Sequence, residues 1–166
     1  MILCDKSIEE LIKSKKLVVK PFKRENIQPA SIDLRISDEI LLLKGKEIDF
    51  DKEQEYERIK AKTLVLPEKT NVLTRTIEYI ELPNDIAGIT KLRSSVSRIG
   101  IFLNNAGWVD PGFKGTLTLS VFNANNAPVK IKAGTRFFQL ILVKLDKESR
   151  GYKGRYNNQY VITGKK

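Results

Sequence analysis

The feature that most constrains the fold is a series of short apolar runs, rich in β-branched and aromatic residues, that proline and glycine separate. These runs are residues 17–19, 32–36, 40–43, 64–66, 72–82, 117–122, 129–131 and 137–145. Residues of this kind favour strands, and the turn formers between them end each strand after a few residues. Many short strands with little helix are typical of barrels and jelly rolls. We therefore predict an all-β chain that folds as a distorted jelly roll or β-barrel.

One short helix is predicted before the first strand. Ser7 and Glu10 have the spacing of a capping box, in which the hydroxyl and the carboxylate satisfy opposite amides of a first helical turn. Ile8, Leu11 and Ile12 fall at helical spacing, so they would share one face of this helix.

The chain has 166 residues, a length that suits one compact domain, and no repeat or linker divides it. We expect residues 1–166 to form a single domain, with residues 147–166 as a C-terminal arm or lid. The charged segment 44–62 is interpreted as an exposed excursion that is partly helical around residues 52–60.

Composition narrows the possible chemistry. The chain has one cysteine and no histidine, so it lacks the commonest zinc ligand and general base, and a zinc-dependent deaminase is excluded. Carboxylates, lysines and hydroxyls remain as catalytic candidates, together with a hard cation such as Mg²⁺. The longest apolar stretch, residues 137–143, is too short to span a bilayer, and the first residues lack a secretory signal. We expect a cytoplasmic protein with no membrane partner.

The net charge of +10 indicates an anionic partner, either nucleic acid or a phosphorylated small molecule, although a solvated basic surface would give the same number. Aromatic residues make up 8% of the chain and do not alternate with the basic ones. Base stacking on a strand face therefore has little support, and no stable nucleic-acid partner is expected.

The densest cluster of candidate site residues begins with Arg93, Ser94, Ser95 and Arg98. Two guanidinium groups and two hydroxyls within six residues suit the binding of phosphate oxygens, but a Ser-rich basic loop is also a common solvated turn. Asp110 precedes a Pro-Gly turn, which its side chain could simply initiate. The same carboxylate could instead orient a water molecule.

Four segments in order resemble the motifs of the dUTPase and dCTP deaminase superfamily: residues 28–35, 93–95, 106–115 and 134–140. The resemblance implies a dUTPase-like jelly roll that assembles as a homotrimer with active sites at the subunit interfaces. It also implies that Mg²⁺ is held mainly by the triphosphate of the substrate, with no direct protein ligand. Both dUTP hydrolysis and dCTP deamination occur in this superfamily.

The choice between the two reactions depends on Ser120. In the deaminases a glutamate lies ten residues after the aspartate of the third motif, and Ser120 occupies that position relative to Asp110. A serine hydroxyl cannot replace a carboxylate in proton transfer near neutral pH, and the next acidic residue after Asp110 is Asp146. Ser120 could also be only a small residue on a strand face.

The hairpin before Asp110 also resembles the dUTPase type. It is one residue shorter than the deaminase pattern, and its run Asn105, Ala106 and Gly107 resembles the dUTPase hairpin, which reads uracil largely through backbone groups. Asn104 and Asn105 are candidate helpers in this recognition. An Asn pair is equally common in a simple turn. The C-terminal segment is instead similar to the deaminase type, with Tyr152, Arg155 and Gln159 as candidate substrate contacts.

We therefore hypothesise a dUTP diphosphatase that forms dUMP and pyrophosphate, with Asp110 activating the attacking water. In this scheme Arg93, Ser94, Ser95 and Gln139 position phosphates, Phe113 packs on the deoxyribose, and Arg155 and Gln159 form a mobile lid. Arg98 serves phosphate or structure, and Asp33 organises the basic groups around it. Cys4 and Trp108 are interpreted as packing residues.

Two alternatives stay open at this point. One is a dCTP deaminase, or a bifunctional enzyme, in which another acid replaces the missing glutamate. The other, motivated by the positive charge, is a non-catalytic β-barrel that binds nucleotides or nucleic acid.

Overall fold

The computed structural model describes residues 1–45, 47–104 and 107–165. The helices in these ranges are α1 (Asp5–Lys13), α2 (Ser94–Ser97) and a 3₁₀ turn at Arg24–Asn26. The strands are β1 (Val18–Lys20), β2 (Ile27–Gln28), β3 (Ser31–Leu43), β4 (Tyr56–Lys60), β5 (Thr63–Leu66), β6 (Asn71–Glu81), β7 (Ile86–Leu92), β8 (Ile101–Leu103), β9 (Trp108–Val109), β10 (Lys114–Asn123), β11 (Val129–Lys132) and β12 (Arg136–Lys144).

Ten of these strands form one curled sheet, whose central path runs β8-β10-β6-β3-β12-β7-β9. β1 extends this sheet along β6, β2 and β4 pair with β3, and β5 pairs separately with β11. The long strand β3 pairs first with β12 and then with β6, with an irregularity between Ile36 and Ile40. Such irregularities bend a strand, so β3 joins the two halves of the sheet. The predicted all-β jelly-roll class is confirmed.

Alternating burial along the central strands produces the apolar core. Every second residue of β6 is buried, and β10 follows nearly the same pattern. The core also contains Phe137 and Phe138 of β12, which are both buried and whose rings meet edge to face at 4.9 Å between centroids. Burying one such side chain stabilises the fold by about 1.5–3 kcal/mol. The partly exposed positions of β10 that alternate with these buried residues, Thr118, Ser120 and Phe122, lie outside this core.

The N-terminal helix begins earlier than predicted, and the capping-box interpretation is wrong. α1 starts at Asp5 with Cys4 as its N-cap, and Cys4 makes no side-chain capping hydrogen bond. The start is set by tertiary contacts, because the Asp5 amide donates to the carbonyl of Pro29 at 3.0 Å and Ile8 is fully buried. Cys4 is exposed, so it is not a packing residue either.

The strand assignments also differ from expectation in several places. The segment predicted to be partly helical contains β4, whose pairing with β3 overrides local propensity. The runs predicted at 32–36 and 40–43 belong to the single strand β3. β2, β7, β8 and β9 were not predicted, and in β7 the residues Ala87 and Gly88 near its start weaken the strand pattern. A Cβ at Gly88 would lie 2.7 Å from Cδ1 of Leu140 and 3.1 Å from Cβ of Val109, so a larger residue there would force these neighbours to shift. No helix in the described ranges could cross a membrane.

Candidate active site

A cavity of about 560 Å³ lies along β10. Its walls come from β10, from the β8 and β9 segments, from the turn after β9 and from the C-terminal segment. The predicted site residues that line it are Asn104, Asp110, Phe113, Ser120, Tyr152 and Gln159. Residues that are far apart in the chain therefore meet in one cavity large enough for part of a nucleotide.

Asp110 is the only acidic residue among the described residues that line this cavity. Its backbone carbonyl accepts a hydrogen bond from the Phe113 amide at 3.1 Å, which closes the turn through Gly112 at a φ of +76°. The indole Nε1 of Trp108 donates to Oδ1 of Asp110 at 2.8 Å. Trp108 is 52% exposed, so its interpretation as a packing residue is wrong. The contact restricts the carboxylate through this one oxygen.

Ser120 belongs to a polar trio with Asn104 and Asn71. The Ser120 hydroxyl donates to Oδ1 of Asn71 at 2.8 Å, and Nδ2 of Asn104 donates to the same oxygen at 2.9 Å. Asn71 was not among the predicted site residues. It lies on β6 beside β10, and no pattern in the sequence links it to Ser120, which is 49 positions away. Only the register between the two strands could have revealed it.

The C-terminal segment packs against β10 beside the cavity. The Thr116 amide donates to the carbonyl of Gln159 at 2.8 Å, and Nε2 of Gln159 donates to Oγ1 of Thr118 at 2.6 Å. Gly115, at a φ of +144°, permits this approach, because a Cβ would lie 2.8 Å from the Gln159 carbonyl oxygen. The Tyr152 ring contacts the Phe113 ring at 6.2 Å between centroids. The segment therefore forms one wall of the site within the same chain.

An ion-pair cluster around Glu39 also binds the C-terminal segment. Nη1 of Arg58 and Nε of Arg75 contact the two carboxylate oxygens of Glu39 at 2.6 and 2.8 Å. Nη2 of Arg58 also donates to the carbonyl of Ile162, a fully buried residue of the C-terminal segment. Burial raises the pKa of Glu39, but the hydrogen bonds and charges of the two arginines outweigh it and leave the pKa below its ordinary value.

This cluster makes stability depend on pH in a defined direction. Because the pKa of Glu39 is lower in the folded state than in the unfolded state, its contribution is complete above the unfolded pKa and is lost as the pH falls through the folded pKa. Glu39→Gln is therefore expected to lower the unfolding free energy at pH 7 by roughly 1.5–3 kcal/mol. The difference in unfolding free energy between Glu39→Gln and the unmodified protein should become smaller as the pH is lowered to about 3.

Denaturant titrations at the two pH values measure this effect. Glu57→Gln is a matched control on β4. Among the described residues the Glu57 side chain has one ion pair, an exposed one with Lys44 at 3.7 Å, so this substitution should change stability little. An unchanged pH dependence in Glu39→Gln would contradict the assignment.

The predicted phosphate-binding residues form a second group around Asp33. This fully buried carboxylate pairs through Oδ2 with Nε of Arg93 at 3.1 Å and with Nη1 of Arg136 at 3.5 Å. Its Oδ1 accepts from Nε2 of Gln139 at 3.4 Å. Asp33 therefore organises the basic groups around it, as expected, and Arg136 is an addition. Ser94 and Ser95 are exposed on α2, and Arg98 is exposed at its C-cap.

The two groups lie apart within one chain. Gly88 of β7 pairs with Val109 of β9, so the next residues of these antiparallel strands, Ala87 and Asp110, lie side by side. Arg93 follows the opposite end of β7. The six residue steps from Ala87 to Arg93 correspond to about 20 Å of extended strand, which separates Asp110 from Arg93. The structure therefore does not bring Arg93 and Asp110 together.

Three predicted site residues need separate mention. Asn105 and Ala106 lie outside the described residues, so their base-reading role has no structural test. Arg155 lies in an exposed turn of the C-terminal segment.

In the described part of the chain, no group of three or more acidic, cysteine or histidine residues is arranged to hold a metal ion.

Comparisons with known proteins agree with this architecture. The fold is similar to 2′-deoxycytidine 5′-triphosphate deaminase from Agrobacterium tumefaciens, with a TM-score of 0.68 and 21% identity over 85% of this chain and 47% of that one, so the chain spans about half of that protein. It is also similar to a mutant dUTPase from phage phi11 of S. aureus, with a TM-score of 0.54 and 16% identity over 83% of this chain and 99% of that one. The latter structure describes the coordination of a structural Mg(II) ion. The fold is thus one that dCTP deaminases and dUTPases share.

Sequence comparison assigns the family. The dCTP deaminase-like family model matches residues 2–145. The dUMP-forming dCTP deaminase of Aquifex aeolicus (strain VF5) is 41% identical over 164 residues, which cover 96% of this chain and 91% of that protein. The chain belongs to the dCTP deaminase-like family, and the predicted superfamily is confirmed.

Proposed function

We propose that this protein hydrolyses dUTP to dUMP and pyrophosphate, with Mg²⁺ carried by the phosphates of the substrate. The observation that carries the proposal is the trio of Ser120, Asn71 and Asn104, which lies where the resemblance places the deaminase glutamate. All three side chains are neutral and cannot supply the proton transfers that replacement of a ring amino group needs. Family membership supports an enzyme that acts on deoxynucleoside triphosphates.

Asp110 is the group that could activate water in this site. The hydrogen bond from Trp108 restrains one carboxylate oxygen, so the other can accept a proton from a water molecule aimed at the α-phosphorus. The water oxygen forms the new P–O bond, the bond to the bridging oxygen breaks, and pyrophosphate leaves with the electron pair. When bound to the phosphates, Mg²⁺ would neutralise the charge that develops there.

The separation of the two residue groups supports a site shared between subunits. Arg93 is about 20 Å from Asp110 along β7, and Ser94 and Ser95 follow it on α2, so together with Gln139 they would bind the phosphates of a nucleotide held mainly by another chain. We therefore propose an oligomer with interface active sites, in the form of a homotrimer. The lid role of Arg155 and Gln159 and the cytoplasmic location remain predictions.

Deamination of dCTP, alone or combined with hydrolysis, is the second candidate function. It is favoured by the Aquifex aeolicus relative, a dUMP-forming dCTP deaminase that matches nearly the whole chain. Against it, Asp110 is the only acid among the described cavity residues. In a bifunctional enzyme the Asp110 carboxylate would therefore have to serve both the deamination of the base and the hydrolysis of the triphosphate.

Product analysis with the purified protein separates the candidates. We expect dUMP and pyrophosphate from dUTP in the presence of Mg²⁺, strong inhibition by EDTA, and no ammonia from dCTP. Anion-exchange chromatography and an ammonia assay give the two readouts, with dTTP as the control nucleotide. Release of ammonia from dCTP would support the second candidate instead.

A further inference from the structure

We propose that Asn71 is a positioning residue that determines base specificity, because it sets the orientation in which Asn104 faces the nucleobase. The proposal rests on the proposed preference for dUTP. It concerns the end of the cavity at which Asn104 and Ser120 lie. Thr116, bonded to Gln159, and Ser120 lie on the same face of β10 four residues apart, which corresponds to about 13 Å. A nucleoside can extend over that length.

A single atom of Asn71 bonds to both Ser120 and Asn104, two residues that line the cavity at this end. Its Oδ1 accepts from the Ser120 hydroxyl at 2.8 Å and from Nδ2 of Asn104 at 2.9 Å. The backbone adds a third link, since the Asn104 amide donates to the Ser120 carbonyl at 2.8 Å. β8 ends one residue earlier, with Leu103 paired to Val121 of β10. The backbone position of Asn104 is therefore fixed, and the orientation of its amide remains to be set.

The hydrogen bond to Asn71 sets that orientation. A side-chain amide has one acceptor oxygen and one donor nitrogen, and here the nitrogen of Asn104 is turned toward Asn71. The Asn104 oxygen is consequently directed away from Asn71 as an acceptor. In the proposed binding mode this oxygen faces ring position N3, which carries a hydrogen in uracil and a lone pair in cytosine, so it pairs with uracil and opposes cytosine. An unpaired polar group in a closed site lowers affinity substantially.

Substitutions at Asn71 separate orientation from mere packing. Asn71→Asp keeps the size and can only accept, so it should hold Asn104 in the same orientation and retain the base preference. Asn71→Leu has similar volume and no acceptor, so the Asn104 amide is free to turn over. We expect the affinity ratio between uracil and cytosine nucleotides to fall about tenfold in Asn71→Leu, the size that one hydrogen bond gives.

Calorimetric binding of α,β-imido analogues of dUTP and dCTP measures the ratio without any turnover. Thermal unfolding of both variants monitors the fold, and kcat for dUTP should change little because Asp110 is untouched. A ratio that is unchanged in Asn71→Leu, or lost equally in Asn71→Asp, would overturn the proposal, as would equal affinity of the unmodified protein for both analogues. If dUTP is bound selectively but not hydrolysed, the proposed function fails and the role of Asn71 stands.

Discussion

Replacement of Asp110 by Asn is expected to lower kcat for dUTP hydrolysis by about 10²–10⁴-fold, the range that a general base contributes. The substitution is nearly isosteric, and the Asn oxygen can still accept from Trp108 Nε1, which is 2.8 Å from the carboxylate. The turn is also retained, because it depends on the Asp110 backbone carbonyl. What disappears is the basic oxygen that removes a proton from water. KM should change little, since the loss affects mainly the transition state.

Steady-state formation of dUMP measures this effect, with thermal unfolding as the check on the fold. Asp146→Asn is a matched control, because Asp146 is exposed and lies outside the described lining of the cavity. Its activity should equal that of the unmodified protein. Activity within about tenfold of normal in Asp110→Asn would remove the proposed role of Asp110 and would require another base.

Replacement of Ser120 by Glu is expected to create dCTP deamination where the unmodified protein has none. The change puts a carboxylate at the position at which the resemblance places the deaminase glutamate, so a group that can carry protons to and from the base becomes available. General acid–base catalysis of this kind gives roughly 10²–10⁴-fold, enough to raise ammonia release well above background. The Asn71 amide must turn to donate to the new carboxylate, because its oxygen now faces Ser120.

Ammonia release from dCTP is the readout for this variant. Ser120→Gln is the control, since Gln has nearly the size of Glu but carries no titratable proton, and this variant should release no ammonia. If Ser120→Glu also releases none while its fold is retained, the missing glutamate is not sufficient to explain the difference between the two reactions. If the unmodified protein already deaminates dCTP, the argument from Ser120 fails.

Much of the fold was predictable because strand propensity and turn formers are local properties. The runs at 64–66, 72–82, 117–122, 129–131 and 137–145 coincide closely with β5, β6, β10, β11 and β12. The errors occurred where a partner overrides local preference. The charged β4 is a strand because it pairs with β3, and α1 begins at Asp5 because its amide binds the Pro29 carbonyl.

The candidate site was predictable in part for the same reason. Asp110, Phe113 and Ser120 were identified from one continuous segment, and the structure places all three along one cavity. Trp108 was misinterpreted because aromatic residues are usually buried, whereas its indole is exposed and bonds to Asp110. Arg136 was not recognised as a partner of Asp33, since nothing local indicates that pair.

The sequence by itself determined the strand-rich class, the motif order and the absence of a histidine base or an acid at position 120, because these are properties of residue identity and spacing. Only the tertiary structure decided that Asn71 joins Ser120 and Asn104, that the C-terminal segment lies against β10, and that Arg93 is remote from Asp110. Those relations depend on strand register. Register is set by backbone pairing and burial over many residues of the sheet, so a side chain's neighbours can come from any part of the chain.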